Sequence, residues 1–170
     1  MWKRKVRLKM TGEITVVISW LAWFALLYQV YLQRTHNEKS LKPLGQIDLE
    51  DRHGHIFVRV TNNGLGPMIV DRLIFQKEGR TYTSIEDCLE LDSRSYTRIS
   101  VNESVRKVIL PNGYLTIFET RLEKSEEDAH RVRQQLSSIR LQVDFRDIYD
   151  NKAIIKRDFG WFSRHIIKAD

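Results

Sequence analysis

The longest uninterrupted apolar stretch of the chain lies near its N-terminus. Residues 14–32, ITVVISWLAWFALLYQVYL, contain no charged side chain. A helix of this length rises about 28 Å, which is close to the hydrocarbon thickness of a bilayer. A core helix of a soluble domain would have a polar face, whereas polar side chains are sparse here. The pattern therefore predicts a transmembrane helix that runs from Ile14 to Leu32.

The apolar stretch is longer than that of a typical signal peptide. Signal peptides have an apolar region of about 7–15 residues, followed by small residues at the cleavage site. Here the segment is followed by Gln-Arg-Thr-His at 33–36, which suits signal peptidase poorly. A pilin-like leader is also disfavoured, because Val17 stands where such proteins carry glutamate. We therefore expect the helix to be retained as an anchor.

The charges around the apolar segment predict its orientation. The preceding residues, 1–13, form a basic tail whose cations are Lys3, Arg4, Lys5, Arg7 and Lys9. Positive flanks stay in the cytoplasm, so the tail is predicted to be cytoplasmic and the rest of the chain extracytoplasmic. We therefore expect a single-pass protein of the cell membrane, whose domain would be periplasmic if the cell is Gram-negative. Residues 33–43 are polar and end in proline, as expected for a juxtamembrane linker.

Several side chains within the apolar segment suit lipid headgroups or a second helix. Tyr28 and Tyr31 lie at the predicted outer end, where amphipathic rings prefer the interface. Trp20 and Trp23 lie deeper, and lipid contact accounts for them. At 100° per residue, four small or polar residues fall within an arc of about 120°: Ser19, Ala22, Ala25 and Gln29. Such a face favours helix–helix contact, so self-association into a homo-oligomer is an alternative prediction.

From residue 44 to residue 170 the chain alternates between apolar and polar positions. The clearest case is IRLQVDF at 139–145, whose predicted inward side chains are Ile139, Leu141, Val143 and Phe145. Further strand-like segments lie at 55–60, 68–75, 80–82, 105–110, 114–122 and 152–159. About seven short strands at this spacing predict an antiparallel β-sandwich. The Pro-Asn-Gly sequence at 111–113 predicts a hairpin between its two flanking strands.

One segment of this β region has a helical pattern. Ser125 can cap a helix whose first turn is acidic, and the acidic side chains favour the positive end of the helix dipole. Ala129, Val132 and Leu136 then form a narrow apolar stripe. We expect one short helix at 125–137, inserted at an edge or end of the sandwich. The segment 84–91 fits neither pattern clearly.

The net charge of +6 suggests a nucleic-acid partner only until its distribution is considered. Residues 1–13 carry five cations and one acid, a net charge of +4, and the remaining 23 cations and 21 acids give only +2. A nucleic-acid-binding domain would be expected to carry a stripe of one sign, so we expect no such partner. Because Cys88 is the sole cysteine, no intrachain disulfide can form.

The stretch HIFVRVTNNGLGPMIVDRLIFQKEGRTY, residues 55–82, resembles the strand B to strand C portion of Ig-like β-sandwiches of bacterial surface proteins, in particular the CARDB type. The resemblance covers 28 residues and implies an Ig-like sandwich with a binding or adhesive role. Its corner between two sheets falls on Asn63, Gly64, Gly66 and Pro67. We expect positive φ at the glycines there and a stop to ladder pairing at the proline.

Candidate chemical groups are few. His53 and His55 supply only two potential metal ligands, and Cys88 lies among acids that disfavour a thiolate. Four aspartates surround one predicted hairpin, where calcium binding or acid–base chemistry is conceivable: Asp144, Asp147, Asp150 and Asp158. Interleaved Arg146, Lys152, Lys156 and Arg157 favour an ordinary solvated hairpin instead. We expect no catalytic residue, metal site or cofactor.

These patterns predict a non-enzymatic, membrane-tethered module outside the cytoplasm. Its partners would be the lipid bilayer and a protein or envelope component. The alternative is a subunit of an oligomeric membrane complex, or a membrane-perturbing effector. In that alternative the transmembrane helix self-associates under the control of the β domain.

Overall fold

The computed structural model describes residues 2–52, 54–91, 96–98, 106–122 and 126–165, with only the backbone course for residues 2–12 and 165. His53 and the capping residue Ser125, both named above, lie outside the described residues. The chain divides into two compact units, Met1–Ser40 and Leu41–Asp170.

The first unit is one continuous α-helix, α1, at Trp2–Ser40. Its portion Glu13–Ser40 is long and apolar enough to cross a membrane. Helical structure continues through residues 33–40, most of the predicted linker, where no proline or glycine interrupts it. The ion pair between Arg34 and Glu38, one helical turn apart, suits this extension. The non-helical connection is therefore only residues 41–44.

Nine strands occur among the described residues of the second unit, and they form two antiparallel sheets. In chain order they are β1 (Gly45–Arg52), β2 (His55–Asn62), β3 (Met68–Lys77), β4 (Arg80–Tyr82), β5 (Thr97–Arg98), β6 (Lys107–Ile109), β7 (Tyr114–Arg121), β8 (Ile139–Arg146) and β9 (Lys152–Asp158). The first sheet has the order β1-β2-β7-β5. The second has the order β4-β3-β8-β9, with β6 also paired to β3. The prediction of a mainly β domain is confirmed.

Both sheets contribute inward side chains to one contiguous core. In β2, Ile56, Val58 and Val60 are fully shielded from solvent. The inward set predicted for β8 is also buried: Ile139, Leu141, Val143 and Phe145. Burying each such side chain contributes about 1.5–3 kcal/mol, so period-two alternation is the main determinant of which face turns inward. Two sheets around a shared core are compatible with a β-sandwich.

The predicted inserted helix is present as α2, Glu126–Ser137. Its buried side chains are the predicted Ala129, Val132 and Leu136. Arg133 of α2 forms a bidentate ion pair with Asp51 of β1, with nitrogen–oxygen distances of 2.6 and 3.1 Å. This pair ties the helix to the end of the first sheet. A 3₁₀ helix at Gly160–His165 also packs against α2.

The turn at 111–113 does not close the predicted hairpin. β6 pairs with β3 in the second sheet, whereas β7 pairs with β2 in the first. The backbone N–H of Asn112 donates to the Asn62 carbonyl at 2.8 Å, and the Asn62 N–H donates to the Gly113 carbonyl at 2.9 Å. The turn therefore carries the chain from one sheet to the other. The hairpin prediction was wrong because the long-range partners of the flanking strands outweigh the local turn signal.

Two strands were missed by the sequence pattern. Four of the eight residues of β1 are charged, which hides the alternation of Ile47 and Leu49. β1 nevertheless pairs with β2 along its whole length, from Gly45 opposite Asn62 to Arg52 opposite His55. β5 has only two residues, paired with β7, and so carries no periodic signal. The unassigned segment 84–91 contains a 3₁₀ helix at Glu86–Cys88.

Candidate functional site

A cleft of about 480 Å³ opens on the outward face of the second sheet. Four cations and two acids line it, so its net charge is +2. These residues define the basic cleft: Asp71, Arg72, Arg106, Asp144, Arg146 and Lys152. They come from β3, β8, the start of β9 and the residue preceding β6.

A β-bulge in β3 builds one wall of the basic cleft. Val70 pairs with Phe145 and Arg72 with Asp144, so Asp71 is an extra residue without a partner on β8. A bulge breaks the strict alternation of side chains and re-aims them locally. Asp71 and Arg72, although consecutive, therefore both line the cleft.

Ion pairs hold the arginines of the basic cleft in place. Arg72 donates to Asp144 Oδ2 from Nε at 3.2 Å and from Nη2 at 2.9 Å. Asp71 lies between two guanidinium groups, with its Oδ1 3.4 Å from Arg146 Nε and 3.6 Å from Arg106 Nε. Arg146 also pairs with Asp150 at 2.6 Å, so the positive charge of the cleft that no carboxylate compensates among the described residues is that of Lys152.

Two groups of the basic cleft retain capacity for a further partner: Arg106 and Lys152. The side chain of Arg106 is exposed, and its Nε lies 3.6 Å from Asp71 Oδ1, beyond hydrogen-bond distance. The Nε of Arg146, by contrast, is buried and faces Asp71 Oδ1 at 3.4 Å. The exposed Lys152 lies opposite Arg146 in the β8–β9 register. Unsatisfied guanidinium and ammonium donors bind carboxylate or phosphate oxygens. The cleft can therefore bind an anionic group.

The outward face of the first sheet carries a different cluster, centred on Arg59, whose buried Nε has no hydrogen-bond partner among the described residues. The guanidinium of Arg59 lies 4.0 Å from the ring centre of Phe57 and 4.6 Å from that of Tyr114. Arg59 Nη2 donates to Glu119 at 3.1 Å, and His55 Nε2 lies 2.9 Å from the same carboxylate. The hydrogen bond from His55, followed by that from Arg59, holds the pKa of Glu119 below its ordinary value. Arg59 covers the ring of Phe57, which lies on the outward face of the sheet and is 8% exposed.

The predicted membrane residues all lie on α1. The side chains of the anchor set are exposed along the helix: Ile14, Trp20, Trp23, Tyr28, Tyr31 and Leu32. The ring centres of Trp20 and Trp23 are 5.9 Å apart, so these residues also contact each other. The basic tail residues Lys3, Arg4, Lys5, Arg7 and Lys9 lie in the helical backbone, and their side chains are outside the described part of the chain.

The small and polar residues of α1 are also exposed on the isolated helix. Ser19 donates its hydroxyl to the Thr15 carbonyl at 2.8 Å, so its hydrogen-bonding capacity is partly used within the helix. Among the described residues no side-chain hydrogen bond of Gln29 occurs, and Ala22 and Ala25 have no polar side-chain atom. Their role in helix association stays a prediction.

The predicted sandwich corner does link β2 in one sheet to β3 in the other. The reason given for its glycines was wrong, however, because neither Gly64 nor Gly66 adopts positive φ. A Cβ on Gly66 would lie 1.8 Å from the Leu41 carbonyl oxygen, and one on Gly64 would lie 2.3 Å from that of Lys42. The glycines are required by the close approach of residues 41–44. Asn63 is exposed at this corner, and Pro67 directly precedes β3.

The residue that organises the corner is Asn62, which the sequence pattern did not single out. Its side chain is fully buried and makes four hydrogen bonds. Oδ1 accepts from the N–H groups of Leu44 and Gly64, while Nδ2 donates to the carbonyls of Gly66 and Ile109. A polar residue at an inward position of an otherwise apolar strand was the available signal.

The remaining chemical candidates have structural partners. His55 is paired with Glu119, and no cluster of three potential metal ligands occurs within the described residues. Burial raises the pKa of Cys88 to about 11, while Lys77 lowers it and Asp87 raises it. The Cys88 side chain is part of the core, with 3% of its surface exposed.

The four aspartates near the β8–β9 turn do not converge on one site. Asp144 pairs with Arg72, Asp150 with Arg146, and Asp158 with Arg140. Asp147 points into its own turn, where it accepts from the backbone N–H groups of Tyr149 and Asn151 at 2.8 and 2.9 Å. Burial acts to raise the pKa of Asp147, but the side-chain and backbone hydrogen bonds from Asn151 and Tyr149 outweigh it, so this pKa lies below its ordinary value.

In comparisons with known proteins, no protein-family model matches this sequence, and no curated protein sequence matches it. The resemblance to CARDB-type domains therefore rests on residues 55–82 alone and stays a prediction.

Proposed function

We propose that the protein is a single-pass membrane-anchored module whose β domain lies outside the cytoplasm and binds an acidic surface of a partner protein or envelope component. The basic cleft carries this proposal. It combines an accessible volume, fixed guanidinium groups and uncompensated positive charge on one face of a sheet.

The anchor is supported by the length and composition of Glu13–Ser40. Its orientation is supported by the five cations that precede the apolar segment, because positive flanks remain on the cytoplasmic side. With the N-terminus inside the cell, the β domain and its cleft face the extracytoplasmic space.

We also propose that the β domain has the Ig-like topology. In the immunoglobulin fold one sheet has the strand order A-B-E-D, and the other contains C, F and G, extended by C′ in some members. The orders β1-β2-β7-β5 and β4-β3-β8-β9 agree with this arrangement if β4 is taken as C′. The short strand β6, which also pairs with β3, has no counterpart in that arrangement. On that assignment, α2 is an insertion between strands E and F.

Binding, rather than catalysis, is favoured by the chemistry of the basic cleft. Its lining consists of arginine, lysine and aspartate side chains, most of them committed to ion pairs. Arginines held in place lose little conformational freedom when they bind a planar or tetrahedral anion. An acidic side chain or phosphate group would displace the weak contacts of Arg106 and approach Lys152.

Site-specific photo-crosslinking in native membranes tests the proposal. A photoreactive amino acid at Ile154, an exposed position opposite Asp144 in the β8–β9 register, lies beside the cleft without removing its charges. We expect crosslinks to a discrete partner from this position but not from Glu50, on the outward face of the first sheet.

Charge reversal supplies the matched control for that experiment. Lys152→Glu should abolish the crosslinked product, whereas Lys156→Glu on the same strand, outside the cleft lining, should preserve it. Equal loss in both variants, or crosslinks independent of Lys152, would contradict binding through the basic cleft. External protease should digest the β domain in spheroplasts, and protection of the domain would contradict the orientation.

A further inference from the structure

Five exposed apolar side chains gather at one end of the β domain. They occupy four separate connections: the approach to β1, the β2–β3 corner, the β6–β7 turn and the β8–β9 turn. We call this set the apolar rim: Leu44, Leu65, Leu110, Ile148 and Tyr149. Leu65, Leu110 and Leu44 expose 70%, 67% and 63% of their surface.

Asn62 fixes three of these four connections to one another. Its side chain accepts from the N–H of Leu44 and donates to the carbonyls of Gly66 and Ile109. Leu65 directly precedes Gly66, and Leu110 directly follows Ile109. Leu44, Leu65 and Leu110 therefore lie on backbone segments that the Asn62 side chain holds together.

The fourth connection, at residues 147–151, lies at the same end and is held rigid by Asp147. Strand register places it there, because Arg146 pairs with Ile69 and Met68 pairs with Ile109. Asp147 accepts hydrogen bonds from the backbone N–H groups of Tyr149 and Asn151. With this carboxylate turned inward, Ile148 and Tyr149 form the exposed tip of the turn.

We propose that the apolar rim inserts into the headgroup layer of the lipid bilayer on which the protein is anchored. This inference rests on the proposed membrane anchor. Exposed aliphatic side chains on separate tight turns can enter an interface individually, while a tyrosine at the edge suits the headgroup region.

Chain connectivity identifies the bilayer as the occupant. The domain begins at Leu41, the residue after the end of the membrane-length helix, and the Leu41 carbonyl lies against Gly66 in the β2–β3 corner. Residues 33–40 extend the helix about 12 Å past the apolar segment. The headgroup region of one leaflet is about 5–8 Å thick, so the helix ends within several ångströms of its outer edge. The rim is thus tethered close to the lipid surface.

The charged residues at this end of the domain also favour the lipid bilayer as the surface that the rim contacts. The exposed cations Lys42 and Lys152 flank the rim. Lys152 has no ion-pair partner among the described residues, and Lys42 lies close enough to the buried Asp147 to help lower its pKa. Asp150 is paired with Arg146. Lysine ammonium groups beside an apolar surface can bind the phosphate oxygens of lipid headgroups. The opposite end offers no comparable feature at the β3–β4 turn, where the exposed residues are Glu78 and Gly79.

Fluorescence depth measurements on the full chain test this proposal. The protein is reconstituted into vesicles of phosphatidylethanolamine and phosphatidylglycerol that contain spin-labelled lipid. A polarity-sensitive fluorophore is attached to Leu65→Cys, Leu110→Cys, Ile148→Cys or the opposite-end control Glu78→Cys. The wild-type chain gives the labelling background, since its Cys88 is buried.

We expect blue-shifted, lipid-quenched emission at the three rim positions and water-like, unquenched emission at position 78. Because insertion depends on several side chains together, Leu65→Asn combined with Leu110→Asn should remove the quenching at position 148. Both leucines are exposed, so these changes leave the core intact.

Vesicle flotation separates failure of the rim from failure of the anchor. A chain that floats with the vesicles but has unquenched rim probes would overturn the rim proposal and leave the anchor standing. A chain that does not float overturns both. A blue shift that depends on protein density rather than on spin-labelled lipid would identify a second copy of the chain as the occupant and overturn lipid insertion.

Discussion

The Asn62 side chain donates a hydrogen bond from Nδ2 to the backbone carbonyl of Gly66 at 2.8 Å. This bond folds the β2–β3 corner back on the strand that precedes it. At the same time the Cβ-free Gly66 allows the Leu41 backbone to approach, so a buried amide and a glycine together attach the entry segment of the domain to its core.

Replacing Asn62 with alanine should destabilise the domain strongly. The change would leave the buried backbone groups of Gly64, Gly66 and Ile109, and the partly buried N–H of Leu44, without their side-chain partner. The expected cost is about 2–4 kcal/mol in free energy of unfolding. Thermal unfolding of the detergent-solubilised chain, followed by circular dichroism, measures the loss. Asn63→Ala is the matched control, because Asn63 is exposed and should change stability by less than about 0.5 kcal/mol. Equal effects would contradict the special role of Asn62.

Gly66→Ala should destabilise more than Gly79→Ala. At Gly66 the added methyl would meet the Leu41 carbonyl oxygen at 1.8 Å, so the backbone itself must move. At Gly79 the surroundings are open and only the positive φ of 75° opposes a side chain, which costs about 1–2 kcal/mol. Denaturant titration of both variants gives the comparison. A smaller loss of unfolding free energy for Gly66→Ala than for Gly79→Ala would contradict the prediction. It would show that residues 41–44 move readily to accommodate the methyl group.

Removing Arg133 should loosen the attachment of α2. Its partner Asp51 exposes only 2% of its side chain, so Arg133→Ala leaves a buried carboxylate unpaired. The expected cost is on the order of 3 kcal/mol. Arg131→Ala, on the exposed face of the same helix, should be nearly neutral. Denaturant titration of both variants at neutral pH checks the prediction, and equal losses of unfolding free energy would contradict it.

Acid should weaken the His55–Glu119–Arg59 cluster. The folded-state pKa of Glu119 lies below its ordinary value of 4.5, so its contribution to stability is complete above that pH. The contribution is lost as pH falls from 4.5 through the lowered folded-state pKa. Relative to wild type, Glu119→Gln should therefore be less stable at neutral pH, with the difference closing in acid. A difference that stays constant with pH would contradict this assignment.

The alternative of a self-associating anchor is tested at Gln29. If this amide bonds between helices, Gln29→Leu should remove about 1 kcal/mol of association and reduce crosslinking between full-length chains roughly fivefold. Membrane insertion should be retained or improved. Ala25→Leu gives a steric control on the same predicted face. Unchanged crosslinking in both variants would instead indicate that Gln29 reaches toward the lipid interface.

Much of the secondary structure follows from local patterns. Period-two alternation located β2, β3, β7, β8 and β9, and the acidic start with an apolar stripe located α2. These elements are predictable because each buries one face. The spacing of apolar residues within the element itself shows which face that is. The charged strand β1 and the two-residue β5 were not predictable, since their formation depends on a partner strand far along the chain.

The basic cleft was predictable only in part. Arg146 and Lys152 were recognised as cations near one hairpin, but their alignment with Arg72 and Arg106 depends on β3 pairing with both β8 and β6. The bulge at Asp71 is likewise a result of strand register. Long-range pairing therefore decided which charges share a surface.

The sequence by itself determined a membrane-length apolar helix and a following β-rich domain, because hydrophobic length and alternation are local properties. Only the tertiary structure decided that the 111–113 turn crosses between sheets and that Gly64 and Gly66 are needed for space. It also decided that Asn62, rather than Asn63, holds the corner. In each of these cases the deciding contact joins backbone groups distant in sequence, and such contacts exist only once both sheets have packed around the core.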